Sequence, residues 1–193
     1  QSRTFAPSSL IFYLGINQTI PNLKHHTLFF ENDLDKHIDC IYGEKKWPEK
    51  PLFYACCPSK TDKIVAPKGK ENLFLLMPLA INIQDDEKNR EKYIAEMLSR
   101  IEKHTGVADL ASKIEYQRSY CVTDFVQDYN AYGGNAYGLA NTLNQTAVLK
   151  PKMRNKKVNN LFYTGQLTVP GPGVPPSIIS GKIVANEITK FKN

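Results

Sequence analysis

The residues best placed to do chemistry lie near the carboxyl end of the sequence. A short apolar run, Leu161-Phe162-Tyr163, ends at Thr164-Gly165-Gln166 and leads into Leu167 to Pro176, which holds four Pro and two Gly. Backbone of this kind is stiff at some positions and open to close approach at others. Pro176 suits a first helical turn because it has no N–H to leave unpaired. Ser177 to Lys190 then reads as a helix with Gly181, Val184, Ala185 and Ile188 on one face, small enough for the axis to approach a sheet. The N–H groups of Ser177, Ile178 and Ile179 are expected to be free at its start, where an anion or an electron-rich carbonyl is favoured.

A second candidate is Tyr132 to Gly138, with three Gly and two Tyr in seven residues. Gly lets backbone approach a flat ligand, and Tyr offers a rigid face with a hydroxyl. A surface loop with two core aromatics is the plainer alternative. The segment is no Walker A loop, since Leu139 and Ala140 stand where Lys and Ser or Thr belong, and it lacks GxGxxG. Lys150, Lys152, Arg154, Lys156 and Lys157 place five positive charges in eight residues, enough to hold a phosphate or touch an anionic membrane; a solvated turn is the bland reading. Without interleaved aromatics or a recognition motif, nucleic acid is not expected as a partner.

Other chemistries are poorly supported. His25 and His26 adjoin, His37 and His104 stand apart, and Cys40, Cys56, Cys57 and Cys121 lack the spacing of a zinc site, so no metal is expected. The thiols are expected to be reduced, as in a cytosolic protein. No Ser-His-Asp order, GxSxG motif or paired carboxylates stand out, so a cofactor would have to supply any hard step and no catalytic base is named. A net charge of +6 modestly favours an anionic partner.

The elements that must carry these segments follow from periodicity. Leu10 to Ile16, Thr27 to Phe30, Leu52 to Cys57 and Ile114 to Tyr120 read as strands, and Leu73 to Leu79 as one buried on both faces or nearly so. Its apolar stretch, broken by Pro78 and Asn82, is too short for a membrane span. Asp85 and Asp86 can cap a helix in which Tyr93, Ile94, Met97, Leu98 and Ile101 share one side, and Gly106 can close it. Thr123 can cap a shorter one through Tyr129. Strands interspersed with helices argue α/β or α+β.

The residues just described also resemble a known family. Gly134-Asn135-Ala136-Tyr137-Gly138-Leu139, Thr142 to Ala147, Lys150-Pro151, and Asn160 to Ser177 with Ser180-Gly181 are similar to the carboxyl-terminal part of bacterial-type carotenoid desaturases, the phytoene and diapophytoene desaturases. Ser8-Ser9, Tyr13-Leu14-Gly15 and His25-His26 fit the same family. The resemblance implies the carboxyl-terminal half of a two-domain FAD-dependent oxidoreductase, without the amino-terminal dinucleotide fingerprint. Its fold is expected to be α/β (α+β): residues 1–130 form part of a mixed-sheet substrate domain, and residues 131–193 form the last strand and helix of a Rossmann-like FAD domain with flavin-facing loops.

By the same resemblance, Thr164, Gly165, Gln166, Gly173, Val174, Pro175 and Ser177 bind FAD, while Gly134, Asn135, Ala136, Tyr137 and Gly138 line the substrate side of the flavin. The implied substrate is a hydrophobic polyene, reached by a cytoplasmic protein in peripheral contact with an anionic membrane. The chain alone is expected to be inactive and to retain FAD weakly. Alternatives are a related flavin-dependent carotenoid isomerase or saturase, an amine oxidase-like enzyme, and a non-catalytic lipid-binding domain.

Overall fold

A computed structural model describes residues 3–192 of the chain. The chain divides into two compact units, Ser8–Gly134 and a second made from the described parts of Gln1–Pro7 and Asn135–Asn193.

The first unit is built on a five-stranded sheet. Its strands are β1 (Ser8–Ile16), β2 (His26–Phe29), β3 (Phe53–Cys56), β4 (Glu71–Leu79) and β5 (Ile114–Tyr120), in the spatial order β2-β3-β4-β1-β5. Every neighbouring pair is antiparallel. The predicted mixed sheet is therefore wrong, and the class is α+β. Period-two alternation gives β1 and β4 one fully buried face: Leu10, Phe12, Leu14 and Ile16 of β1 lie beside Leu73, Leu75, Met77 and Leu79 of β4. Each such side chain contributes about 1.5–3 kcal/mol by leaving water. The even-numbered residues of β4, expected to be buried as well, are only partly covered or exposed.

Helix α1 (Leu34–Tyr42) is capped by Asp33, whose carboxylate accepts from the Asp35 and Lys36 N–H groups. Helix α2 (Glu87–Thr105) begins at Asp86, which accepts from Asn89 N at 2.9 Å, and ends at Gly106 with φ 74°. Its Tyr93, Ile94, Met97, Leu98 and Ile101 join the buried face of the sheet in one core. The short helix α3 (Val122–Tyr129) follows β5; its N-cap is Cys121, not Thr123, and Asp124 accepts from the Cys121 N–H at 2.8 Å.

Two buried polar groups lock this unit. Asp85, expected as a cap, instead takes both ends of the Arg90 guanidinium at 2.9 and 2.7 Å and accepts from the Thr123 N–H and hydroxyl at 2.9 and 2.6 Å. Arg90 also reaches Asp124 at 2.7 Å and Ser119 at 3.0 Å, so one side chain ties α2 to β5 and α3. His37 of α1, 4% exposed, hydrogen-bonds the Pro78 carbonyl through Nε2 at 3.0 Å and accepts from Leu52 N through Nδ1 at 2.8 Å. Pro78 is tolerated in an interior strand because β3 pairs with β4 only from Phe74 to Leu76.

Those partners fix His37 as the neutral ring with its proton on Nε2. Burial lowers its pKa, against the opposing pull of the Pro78 carbonyl. A folded value below the unfolded one means that the unfolded chain takes up the proton first. Stability is thus expected to be full above about pH 6.5, the unfolded value, and to fall below it. Urea titrations of the chain and of His37→Gln at pH 7.5 and 5.5 check this, and a variant with the same pH slope as the parent would contradict it.

The second unit has no strand among the described residues. It contains short 3-10 turns, two isolated bridges, Phe5 with Leu139 and Arg154 with Phe162, and helix α4 (Val174–Lys192). Leu161-Phe162-Tyr163 was expected to be the last strand of a Rossmann-like domain. It makes one antiparallel bridge, with Leu161 and Tyr163 exposed, and no parallel sheet exists among the described residues. Its β propensity is a local signal, and a strand also needs neighbours to accept its ladder. Helix α4 buries Ser180 and Val184, covers Gly181 and Ile188 in part and leaves Ala185 exposed, so the expected small face is not buried as a whole.

Candidate functional site

The unburied face of the five-stranded sheet is aromatic. Side chains opposite to the core project from β1 (Tyr13), β3 (Tyr54), β4 (Phe74 and Leu76) and β5 (Tyr116, Arg118 and Tyr120), as the register requires. Tyr13 lies 5.4 Å from Phe74 between ring centroids, and Tyr120 stands edge-on to Phe125 at 4.8 Å. A cavity of about 680 Å³ runs along this face, bordered by Tyr13, Gly15, Tyr116, Arg118, Tyr120 and Tyr129. Gly15 keeps it open: a Cβ there would stand 3.3 Å from that of Tyr116, at a register shift between Gly15 and Ile16. Burial and a 2.8 Å hydrogen bond to Asp128 push the Tyr120 phenol up, so it stays protonated. The groove thus offers aromatic faces, which suit a flat apolar ligand, beside the charged side chains of Lys70, Glu115, Arg118 and Asp128. The sequence reading missed it, because the alternation in Ser8–Ile16 is masked by residues buried on both sides.

In the second unit, Thr164 to Gln166 and Gly138, part of the set expected to face a cofactor, lie together. Ser180 accepts from the Thr164 hydroxyl and the Gly165 N–H, each at 3.0 Å, and shares a 2.9 Å bond with the Thr168 hydroxyl, which donates to the Gly165 carbonyl at 3.0 Å. Thr168 and Ser180 were not among the expected site residues, yet they hold the Thr164–Gln166 turn in place. Gly138 joins them: a Cβ there would meet Leu167 at 3.1 Å and Gln166 at 3.4 Å. Asn135 accepts from Gly138 N at 2.7 Å, and Ala136 N donates to the Pro7 carbonyl at 3.0 Å. Tyr137 is exposed, as are Gly173, Val174 and Pro175, with Ser177 partly covered.

The start of α4 differs from expectation. The helix begins at Val174, so the Ser177 N–H is given to the Gly173 carbonyl at 3.0 Å and is not free. Pro175 and Pro176 have none, so the helix start offers few donors despite its dipole.

Gly134, the other end of the Tyr-Gly loop, belongs to the sheet unit. Its φ is +70°, and a Cβ would stand 2.5 Å from the Val122 carbonyl oxygen. Gly134→Ala is expected to destabilise the chain by about 1–3 kcal/mol through strain and overpacking, measured by urea unfolding. An unchanged midpoint would contradict this packing role.

Further groups come together that the sequence reading kept apart. Glu71, 5% exposed, pairs with Lys60 and accepts from Ser59 and Cys57. Burial alone would raise its pKa; Lys60 and the two neighbours outweigh that and lower it. The ligand atoms of His25, His26 and Cys56 lie within 4.8 Å of one another. The hydroxyls of Ser8 and Ser9 are buried without a hydrogen-bond partner. No helix among the described residues is long and apolar enough to cross a membrane.

Comparison with known proteins finds sequence similarity along nearly the whole chain. The chain is 44% identical over 186 residues to carotenoid 3,4-desaturase of Haloarcula japonica, covering 96% of the chain and 37% of that protein. It is 32% identical over 191 residues to the zeta-carotene-forming phytoene desaturase of Myxococcus xanthus, covering 95% of the chain and 36% of the relative. It is also 29% identical over 189 residues to a 4,4'-diaponeurosporene oxygenase of Staphylococcus haemolyticus, covering 97% and 38%. No family model matches the chain. The chain is thus similar, nearly end to end, to part of carotenoid desaturases. The chain spans a little over a third of the length of these relatives.

Proposed function

We propose that this chain is the carboxyl-terminal part of an FAD-dependent carotenoid desaturase, and that the sheet unit supplies its polyene groove. The observation that carries the reading is the 44% identity to a carotenoid 3,4-desaturase over almost the whole chain. The open aromatic sheet face agrees with it in chemistry. Residues 1–130 would meet the substrate, and residues 131–193 would carry the flavin-facing loops.

The second unit fits a flavin on three counts. Gly165, at φ +100°, has open space where a Cβ would project, so a ligand can lie against its backbone. Tyr137, Tyr163, Leu167, Val174 and Ile178 of the same unit expose apolar surface, which favours a flat ring as cover. A buried cation, Lys150, has no hydrogen-bond partner among the described residues. Thr164, Gly165, Gln166, Gly173, Val174, Pro175 and Ser177 would hold the cofactor, with Asn135 to Gly138 toward the substrate side.

Desaturation removes two hydrogens from adjacent carbons, one as a hydride and one as a proton. Bound FAD supplies the hydride acceptor. The chain itself has to hold the polyene by its flat faces, keep water out, and fix the reacting C–H bond in register. The tyrosines of the groove would supply the flat faces, with the charged residues at its border, Arg118 among them, left to water. The exposed cations Lys152, Arg154, Lys156 and Lys157 would meet anionic lipid, from which such a substrate is drawn. Neutralising all four is expected to abolish cosedimentation with anionic vesicles; unchanged binding would end that part of the reading.

The test is product analysis of the full-length protein loaded with FAD and given acyclic C30 and C40 carotenoids. Loss of two hydrogens per new double bond is expected, with a red shift of the polyene absorbance. An isomerase leaves the mass unchanged, a saturase adds hydrogen, and an oxygenase adds oxygen; any of these as the sole product would overturn the proposal.

A further inference from the structure

The five cations from Lys150 to Lys157 are adjacent in sequence but not equivalent in the fold. Lys152, Arg154, Lys156 and Lys157 are exposed, whereas Lys150 is 6% exposed. Its Nζ is sealed from solvent and has no hydrogen-bond partner among the described residues. It lies beneath the turn that feeds α4: a Cβ built on Gly171 would stand 3.4 Å from Lys150 Cε and 3.6 Å from Nζ. An ammonium with neither water nor an acceptor is strongly unfavourable, and a negative charge brought against its cover would offset that cost through space.

The neighbouring helix start cannot supply the missing positive locus through donors. Its two prolines have no N–H, and that of Ser177 is taken by Gly173. A single ammonium under the same turn does supply it.

We infer that Lys150 is the counter-charge for the electron-rich pyrimidine edge of the flavin, the edge that becomes negative when the ring accepts two electrons. The inference rests on the flavin reading above, in which Gly173 to Ser177 lie at the ring. A cation held there binds the reduced ring more tightly than the oxidised one, and so raises the flavin's potential and favours removal of hydride from an unactivated carbon. The same ammonium could instead meet the FAD pyrophosphate, which is anionic in both redox states, and the experiment separates the two.

The test uses the full-length protein as wild type, Lys150→Met, Lys150→Arg and, as an exposed control, Lys152→Met. The readouts are the dissociation constant of oxidised FAD, the flavin midpoint potential, and the melting temperature of the FAD-free protein. Lys150→Met is expected to weaken binding of the reduced ring at least tenfold more than that of the oxidised ring, about 30 mV in potential for each tenfold. Lys150→Arg should retain most of the effect, and Lys152→Met should not differ from wild type. FAD-free Lys150→Met should also melt higher than wild type, the reverse of what a lysine with a structural contact would give. If Lys150→Met does not fold, Lys150→Gln gives the same ratio.

An FAD-loaded Lys150→Met protein with unchanged potential overturns the inference and leaves the flavin reading standing. Equal weakening in both redox states overturns it in favour of the pyrophosphate. A wild-type protein that takes up no FAD overturns the flavin reading itself.

Discussion

Arg90→Met is expected to destabilise the sheet unit by about 3–5 kcal/mol, the largest loss for any single substitution considered, because it leaves buried charge without a partner. The Asp85 side chain is fully buried and that of Arg90 is 12% exposed. Removing the guanidinium strands Asp85 and takes the anchor from Asp124 and Ser119 together. Burial by itself would raise the Asp85 pKa, but the hydrogen bonds from Arg90 and Thr123 more than offset it and hold the carboxyl at about 2. With a folded value below the unfolded one of about 3.9, the contribution of Asp85 is complete above about pH 4 and is lost as pH falls through about 2. That acid step, roughly 2–3 kcal/mol, should vanish in Arg90→Met. Urea unfolding at pH 7 and at pH 2.5 measures both effects, and a loss at pH 7 below about 1 kcal/mol, the range of an exposed pair, would contradict the network's role.

Tyr13→Glu is expected to leave the fold intact and remove polyene turnover. Tyr13 is 43% exposed on the open face, so a carboxylate there remains hydrated in the free protein and costs little stability. A hydrocarbon seated in the groove must strip that carboxylate of water, an uncompensated cost of at least about 3 kcal/mol. At about 1.4 kcal/mol per decade, kcat/KM with a carotenoid should fall by two orders of magnitude or more. Tyr13→Phe keeps the aromatic face and should keep turnover. The paired outcome separates a lost surface from a lost hydroxyl; Tyr13→Glu with near-normal kcat/KM would place the polyene elsewhere.

Legibility in the sequence followed the range of the interaction. Helix α2 could be read almost to the residue, since Asp86, the apolar stripe from Tyr93 to Ile101 and Gly106 all act within a few turns. All five strands of the sheet were legible from composition. Their pairing was not, because antiparallel and mixed sheets use the same residue types and differ only in which distant segment lies alongside. Leu161-Phe162-Tyr163 shows the same limit from the other side, with strand propensity but no ladder to join. Asp85 looked like a cap because Thr123, from whose N–H and hydroxyl it accepts, is almost forty residues away. Lys150 was grouped with four neighbours by spacing alone, and spacing does not say which member of a charge run turns inward.

The candidate site divides in the same way. The Gly- and Pro-rich segments were visible as unusual backbone, and the Thr164–Gly165 turn is indeed tightly held, through Ser180. The aromatic groove was hidden, since Tyr13, Phe74, Tyr116 and Tyr120 come from three strands and become one surface only after β1 is placed between β4 and β5.

The central claim is that this chain serves flavin-dependent desaturation of a polyene. The most direct measurement is anaerobic mixing of the FAD-loaded full-length protein with a stoichiometric acyclic carotenoid, following both chromophores in one spectrum. The account predicts that the flavin's visible band bleaches at the rate at which the polyene absorbance moves to the red. A polyene that changes while the flavin stays oxidised, or a flavin that never responds to any polyene, would contradict it.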